Sequence, residues 1–239
     1  MYRVAIVAAL EREVRPLVKK WRVKEMDHSG RSFRFFEQDA TVLVCGGIGG
    51  QPARRAAEAV IEQYAPTIIY SVGFCGALDE KLKAGDVIQP GQVINASDGS
   101  RVDIREGKGI LVSFASVATP EQKAKLRESY SAQVVDMEAA AVARAAQARG
   151  IEFAAVKAIS DEFDFVFPSM EQFIDSAGVF RQGQFATFAT LRPWLWPKVG
   201  RLAINSNRAS QALCEWLKNS LNRMITDAPN QKLEATHRS

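Results

Sequence analysis

A chain of 239 residues, 47% hydrophobic and 24% charged, can bury a sizeable core in one α/β unit with an appendage, and its composition is that of a globular protein. No apolar run reaches the roughly 18–20 residues that cross a bilayer, and Glu11, Arg12 and Glu13 interrupt the first apolar run too early for a secretory leader, so a cytoplasmic protein is expected. The net charge of +4 is uneven: residues 181–239 hold nine Lys/Arg against three acids, and the remainder stands at −2.

In chain order, Tyr2–Ala8 reads as a strand and Glu11–Lys20 as a helix. Thr41–Cys45 is a strand ending in Gly46-Gly47-Ile48-Gly49-Gly50, followed by a helix over Pro52–Tyr64 with Ala53, Ala56, Ala57, Val60 and Ile61 on one stripe. Thr67–Gly73 is a buried strand running into a turn at Phe74-Cys75-Gly76. Strands are expected near Asp86–Gln89 and Gly109–Phe114. Thr119-Pro120-Glu121-Gln122 is a helix start, with Thr at the N-cap, Pro at N1 and Gln at N3. Strand Val134–Asp136 leads into an alanine-rich helix that Gly150 stops near Arg149, and Phe153–Ser160 is the last clear strand. This alternation predicts an α/β protein with a parallel or mixed sheet covered by helices, and ligands in such sheets bind beyond strand carboxyl ends. After the breakpoint Arg192-Pro193-Trp194-Leu195-Trp196-Pro197, a helix is expected over Val199–Ile225, with Leu202, Leu213, Leu217 and Leu221 on one face. Residues beyond Asp227 are polar and expected to fray. The chain therefore divides into a unit over 1–190 and a basic amphipathic extension over 191–239.

The residues that could carry chemistry lie at the junctions. The glycines of Cys45–Gly50 could bring backbone N–H groups to an anion at a helix N-terminus, or simply make a tight strand-to-helix turn; Gly73–Gly76 has the same two readings. Asp136 and Glu138 flank Met137 where a strand enters a helix, and either caps the helix or grips sugar hydroxyls. Asp161 ends an apolar strand after Ser160; it is either an N-cap or, with a raised pKa, a general acid. Of Glu11 and Glu13, one could face the crevice. Cys45, Cys75 and Cys214 are odd in number and widely spaced, which suggests reduced thiols. Two histidines and no Cys-x-x-Cys pair give no expectation of a metal. The basic tail lacks interleaved aromatics, so no nucleic-acid partner is expected.

Five segments in a fixed order carry a resemblance: VAIVAALEREVRPL (4–17), CGGIGGQP (45–52), VGFCGALDEKLKAGD (72–86), VDMEAAAVARA (135–145) and VKAISD (156–161). Together the chain resembles the nucleoside phosphorylase/nucleosidase superfamily, in its branch near methylthioadenosine/S-adenosylhomocysteine nucleosidase. The resemblance implies a three-layer α/β/α fold with a mixed central sheet, to which the tail adds the C-terminal helical extension read from its periodicity. It also implies an enzyme that cleaves the N-glycosidic bond of a purine (adenosine-type, 5′-modified) nucleoside and releases the base, by hydrolysis or by phosphorolysis, with no metal and no cofactor, phosphate being the co-substrate in the second case. By position, Asp161 resembles the acid at purine N7 and Ser160 its support. Glu138 resembles the carboxylate on the ribose hydroxyls, Met137 the residue under the sugar, and Glu13 the activator of water. Phe74, Cys75 and Gly76 fall in the base and phosphate turn, and Gly46, Gly47 and Ile48 in the anion- or ribose-facing loop. Phe74 replaces a hydroxyl that helps hold phosphate, Asn95–Gly109 is shorter than the family's usual insertion, and no base-stacking Phe stands near Ala115–Val117. These departures are similar to the hopanoid-associated phosphorylases, which would imply a lipid-linked adenosine. A homo-oligomer is expected from the family. The tail, with Trp194, Trp196 and Trp216, would either rest on an anionic membrane surface or pack its stripe on the protein. A nucleoside-binding protein without turnover is the rival from another class.

Overall fold

The computed structural model describes residues 4–167, 171–175 and 178–236, those from 224 onward as backbone. Strand β1 (Val4–Ala8) leads to helix α1 (Glu11–Val18); Tyr2 and Arg3 of the expected first strand lie outside the described residues. There follow β2 (Arg22–His28), β3 (Arg31–Gln38), β4 (Thr41–Cys45), α2 (Gly50–Tyr64) and β5 (Ile68–Ala77). The middle of the chain forms β6 (Val87–Ile88), β7 (Gln92–Asn95), β8 (Arg101–Asp103) and β9 (Ile110–Ser113). The remainder is α3 (Pro120–Tyr130), β10 (Val134–Asp136), α4 (Ala139–Gln147), β11 (Glu152–Asp161), α5 (Gln182–Thr190) and α6 (Trp196–Thr236).

The strands form one mixed sheet ordered β2-β3-β4-β1-β5-β10-β9-β7-β8, with β11 on the other side of β5 and β6 beyond it. β4, β1, β5 and β11 run parallel, whereas β10 meets the end of β5 antiparallel. Period-two alternation along β1 builds two cores. Ala5 and Val7 pack with α2 and α4, while Val4, Ile6 and Ala8 pack with α1 and α6. This is the expected three-layer arrangement. The alanines of α2 and α4 let these helices approach closely: Ala56, Ala57, Ala59, Ala139 and Ala143 are all fully buried.

Two expectations change. The chain does not turn at Phe74-Cys75-Gly76; β5 runs straight through to Ala77, with β11 alongside to Gly76 and β10 bonded at Gly76 and Ala77. Backbone groups paired on both sides leave nothing for a turn to satisfy. Beyond Asp227 the helix does not stop but continues to Thr236. Its leucine stripe is occupied: Leu213, Leu217 and Leu221 are buried with Val14, Leu17 and Trp21 of the α1 layer. Trp194 and Trp196 remain exposed. Among the described residues no helix is long and apolar enough to cross a membrane.

Candidate active site

The carboxyl ends of β1, β4, β5 and β11 point the same way, and β10 comes in against them, so five junctions converge on residues 73–76 of β5. A cavity of about 140 Å³ opens there, and Glu13, Phe74, Cys75, Gly76, Met137, Glu138, Ser160, Asp161 and Ile48 of the sequence expectations all line it. Gly46 and Gly47 do not. Their amides donate to the carbonyls of Ala8 and Ala9 at 2.9 Å, and a Cβ on Gly46 would lie 2.8 Å from that of Ala56. The amides of these two glycines are spent in extending the pairing of β4 with β1.

The amides of Ile48 and Gly49 are also engaged. Ile48 N–H donates to the Gly178 carbonyl at 2.8 Å, and Gly49 N–H donates to Glu138 Oε1 at 2.8 Å. The anion at the α2 N-terminus is therefore the protein's own Glu138. Helix capping falls to its neighbour: Asp136 Oδ2 accepts from Ala139 N–H at 2.9 Å, and Oδ1 from the Ser113 hydroxyl at 2.6 Å. With Asp136 capping α4, Glu138 is released toward the cavity. Burial, and then Asp136, push its carboxyl up to about 7, against the pull of Lys157.

Glu13 projects from the first turn of α1, held by the Leu10 amide at 3.3 Å. Its carboxylate lies over Gly73, where an added Cβ would meet Oε2 at 2.8 Å. Glycine, here at φ +151°, serves close approach and not a turn. Burial raises the Glu13 pKa, and the Lys157 ammonium partly offsets this.

At the far end of the cavity a β-bulge places two residues of β11 against one of β5, since Ile159 pairs with Cys75 and Asp161 with Gly76. The extra residue, Ser160, donates its hydroxyl to Asp161 Oδ1 at 2.8 Å. Asp161 Oδ2 meets a cation that had no signal in the sequence: Lys123 Nζ of α3, at 2.6 Å, which also donates to the Glu162 carbonyl at 2.7 Å. Both charges are buried, and a Cβ on Gly76 would strike them at 2.7 Å from Oδ2 and 3.1 Å from Lys123 Cε. The acid expected at the end of this strand is thus one half of an ion pair.

Lys157, also unforeseen, stands beneath the floor. Its Nζ lies 2.8 Å from Asp136 Oδ2 and 3.1 Å from Ser71 Oγ. Burial opposes its charge, but Asp136, Glu138 and Glu13 together raise its pKa. The signal was present as a lysine inside the apolar run Phe153–Ile159. The cavity's walls are apolar, from Phe74, Phe167, Phe180 and Leu202. Phe167 supplies an aromatic face where none was found near Ala115–Val117. Cys75 is a neutral thiol, its pKa raised by burial. Among the described residues no His, Cys, Asp and Glu cluster could hold a metal ion.

The chain was compared with known proteins. The methylthioadenosine/S-adenosylhomocysteine nucleosidase of Bacillus cytotoxicus is 26% identical over 219 aligned positions, covering 74% of this chain and 94% of the relative. That of Staphylococcus aureus is also 26% identical, over 218 positions with the same coverage. In structure, native futalosine hydrolase of Helicobacter pylori superposes with a TM-score of 0.69 at 16% identity, covering 93% of this chain and 98% of that one. The methylthioadenosine/S-adenosylhomocysteine nucleosidase of Helicobacter pylori, complexed with a substituted pyrrolidin-3-ol, gives 0.69 at 15% identity with the same coverage. The model of the phosphorylase superfamily matches residues 3–118 and 104–182, which takes in every junction that builds the cavity. The chain therefore belongs to the phosphorylase superfamily.

Proposed function

We propose that this enzyme hydrolyses the N-glycosidic bond of a 5′-substituted adenine nucleoside. The observation that carries the reading is the convergence of Glu13, Glu138 and the Lys123–Asp161 pair on one cavity. Gly73 and Gly76, which make room for Glu13 and Asp161, are three residues apart on β5, or about 10 Å at roughly 3.3 Å per residue. That spacing accommodates a ribose and the five-membered ring of a purine between a water and the leaving nitrogen. The Glu138 carboxylate accepts hydrogen bonds from the 2′- and 3′-hydroxyls, with Met137 packed below the sugar. As the C1′–N9 bond breaks, its electron pair moves into the base. The Lys123–Asp161 pair supplies the proton at N7: Lys123 holds it, Asp161 relays it, and Ser160 fixes the carboxylate. The sugar becomes an oxocarbenium-like cation, which Glu138 and Glu13 stabilise electrostatically. Glu13, made a stronger base by burial, takes the proton of the water that adds to C1′.

Water is favoured over phosphate because the loop amides at Gly46, Gly47, Ile48 and Gly49 already bond to the protein. Phe74 also presents no hydroxyl to an anion. The names of the relatives, nucleosidases and a hydrolase, point the same way. The test is to incubate the enzyme with 5′-methylthioadenosine, with and without phosphate. Adenine and free 5-methylthioribose should form at the same rate in both. Phosphate-dependent release of a sugar 1-phosphate would assign phosphorolysis instead. Asp161→Asn should lower kcat by about 10²–10⁴-fold; unchanged turnover would remove Asp161 from the mechanism. Tight adenine binding without any product would favour a binding protein.

A further inference from the structure

The described residues expose seven large hydrophobic side chains, and three of these fall within six positions: Leu191, Trp194 and Trp196 are 71%, 70% and 57% exposed. They sit on the corner where α5 ends and α6 begins, around a short 3₁₀ turn at Pro193–Leu195. The corner is rigid. Pro193 opens the turn and Pro197 lies in the first turn of α6, places where a fixed φ is favourable and no N–H is needed. The amides of Arg192 and Leu195 donate to the carbonyls of Ala189 and Arg192 at 3.0 and 2.9 Å. The Trp196 indole N–H donates to the Ala189 carbonyl at 3.1 Å, so the exposed ring keeps no polar group that needs water.

The inner side of the corner is already filled. Phe173 packs edge-on against Phe185 and Phe188, with 5.5 and 5.2 Å between ring centroids. The leucine stripe of α6 is likewise engaged with the α1 layer. Leu191, Trp194 and Trp196 are therefore surplus to the core, and a contiguous apolar cluster of this kind is a docking face.

The charge of the face selects its partner. Between Asp175 and Glu215 the chain carries Arg181, Arg192, Lys198, Arg201 and Arg208, and no acid. Arg181 and Arg201 are paired with Asp175 and Glu162. Arg192 and Lys198 bracket the two tryptophans and form no ion pair among the described residues. The Arg192 guanidinium lies over the Phe188 ring, 3.9 Å from its centroid, on a platform that leaves its net charge in place. Two copies joined through this face would set these cations against each other. An anionic bilayer supplies negative charge to Arg192 and Lys198 and an apolar boundary layer to Leu191 and the indoles, whose rings favour the headgroup level. Among the described residues no helix can cross the bilayer, so the contact is peripheral.

We infer that the α5–α6 corner is a peripheral membrane anchor, which inserts Leu191, Trp194 and Trp196 into the surface of an anionic bilayer and sets Arg192 and Lys198 against its phosphates. The inference is independent of the nucleoside reading.

The full chain is sedimented with vesicles of phosphatidylcholine alone, and of phosphatidylcholine and phosphatidylglycerol in equal parts. Two cations near a charged surface should favour the anionic vesicles by about 20-fold at low ionic strength. The preference should collapse in about 1 M salt, where screening acts over about 3 Å. Leu191→Ser/Trp194→Ser should lower partitioning by about tenfold or more and keep the wild-type thermal transition, because neither side chain is buried. Lys198→Gln should reduce the anionic preference about fivefold and leave binding to phosphatidylcholine unchanged, and it carries the test if the double variant melts early. No binding to the anionic vesicles, equal binding to both kinds, or variants that partition as wild type does would each overturn the anchor. A dimer that forms without vesicles and is dissociated by Leu191→Ser/Trp194→Ser would give the face to a second copy and overturn it too.

Discussion

Lys123 and Lys157 are each 1% exposed, and each is neutralised by a different acid. Lys157 fixes Asp136, which caps α4. Lys123 fixes Asp161, which faces the cavity. Between them Glu13 and Glu138 have no dedicated cation, and both have raised pKa values. For Glu138 this has a measurable sign. Its carboxyl titrates at about 7 in the fold and from an ordinary 4.5. The folded state holds this proton more tightly than the unfolded chain, so the associated stability is complete below about 4.5 and is lost as pH rises through about 7. Glu138→Gln is permanently neutral and escapes that loss. It should melt higher than wild type at about pH 8, by the equivalent of about 1–2 kcal/mol given a partly open cavity, and the gap should close near about pH 5. Calorimetry at the two pH values checks this; a wild-type advantage at the higher pH would contradict it. At this scale the sequence showed the acids but not their cations. Glu13, Glu138 and Asp161 lie at element ends, where function leaves a pattern. Lys123 sits in the first turn of α3, where a lysine is ordinarily solvated, and only tertiary packing turns it inward.

Helix α1 carries Glu13 and also Pro16, and the two are linked through α6. Proline has no N–H, so the Arg12 carbonyl, four residues back, loses its helical partner. The Ser210 hydroxyl of α6 lies 3.2 Å from that carbonyl and 3.0 Å from the carbonyl of Glu13. The long C-terminal helix thereby satisfies the first turn of α1 where the candidate base is mounted. Ser210→Ala should cost about 1 kcal/mol in wild type, and appreciably less in a Pro16→Ala background, where an amide again meets Arg12. Denaturant melts of the four proteins give the coupling; strict additivity would show that Ser210 does not substitute for the missing N–H. Elements with strong periodicity or caps were legible. The Thr119–Gln122 capping box forms with both hydrogen bonds, and β4 spans Thr41–Cys45 as read. The β2–β3 hairpin was not legible, because β2 is a polar edge strand, exposed along most of its length. Its one cue was Ser29-Gly30, whose positive φ values of 50° and 75° make a two-residue hairpin turn. The strand through Phe74–Gly76 was misread because its glycines serve neighbouring carboxylates, and spacing alone cannot separate that use from a turn.

Across the whole molecule, composition and packing divide the chain differently. The net positive charge gathers after 181, yet α6 contributes Ala209, Leu213, Cys214, Leu217 and Leu221 to the core that holds α1 on the sheet. Leu213 and Leu217 are 0% and 2% exposed. Burying three leucines is worth roughly 5–9 kcal/mol, comparable with the whole stability of a domain, about 5–15 kcal/mol. The same helix also bonds the carbonyls of Arg12 and Glu13 through Ser210. A stripe engaged in this way is not available to a lipid surface. A chain ending at Arg192 should therefore lose its cooperative thermal transition and all adenine release together, because α1 loses both its apolar cover and the Ser210 contact. Circular dichroism melts and an adenine assay on the same preparation decide this. A truncated chain that melts like the full one would establish residues 1–190 as a unit that folds alone. Activity surviving in it would further show that Glu13 holds its place without α6.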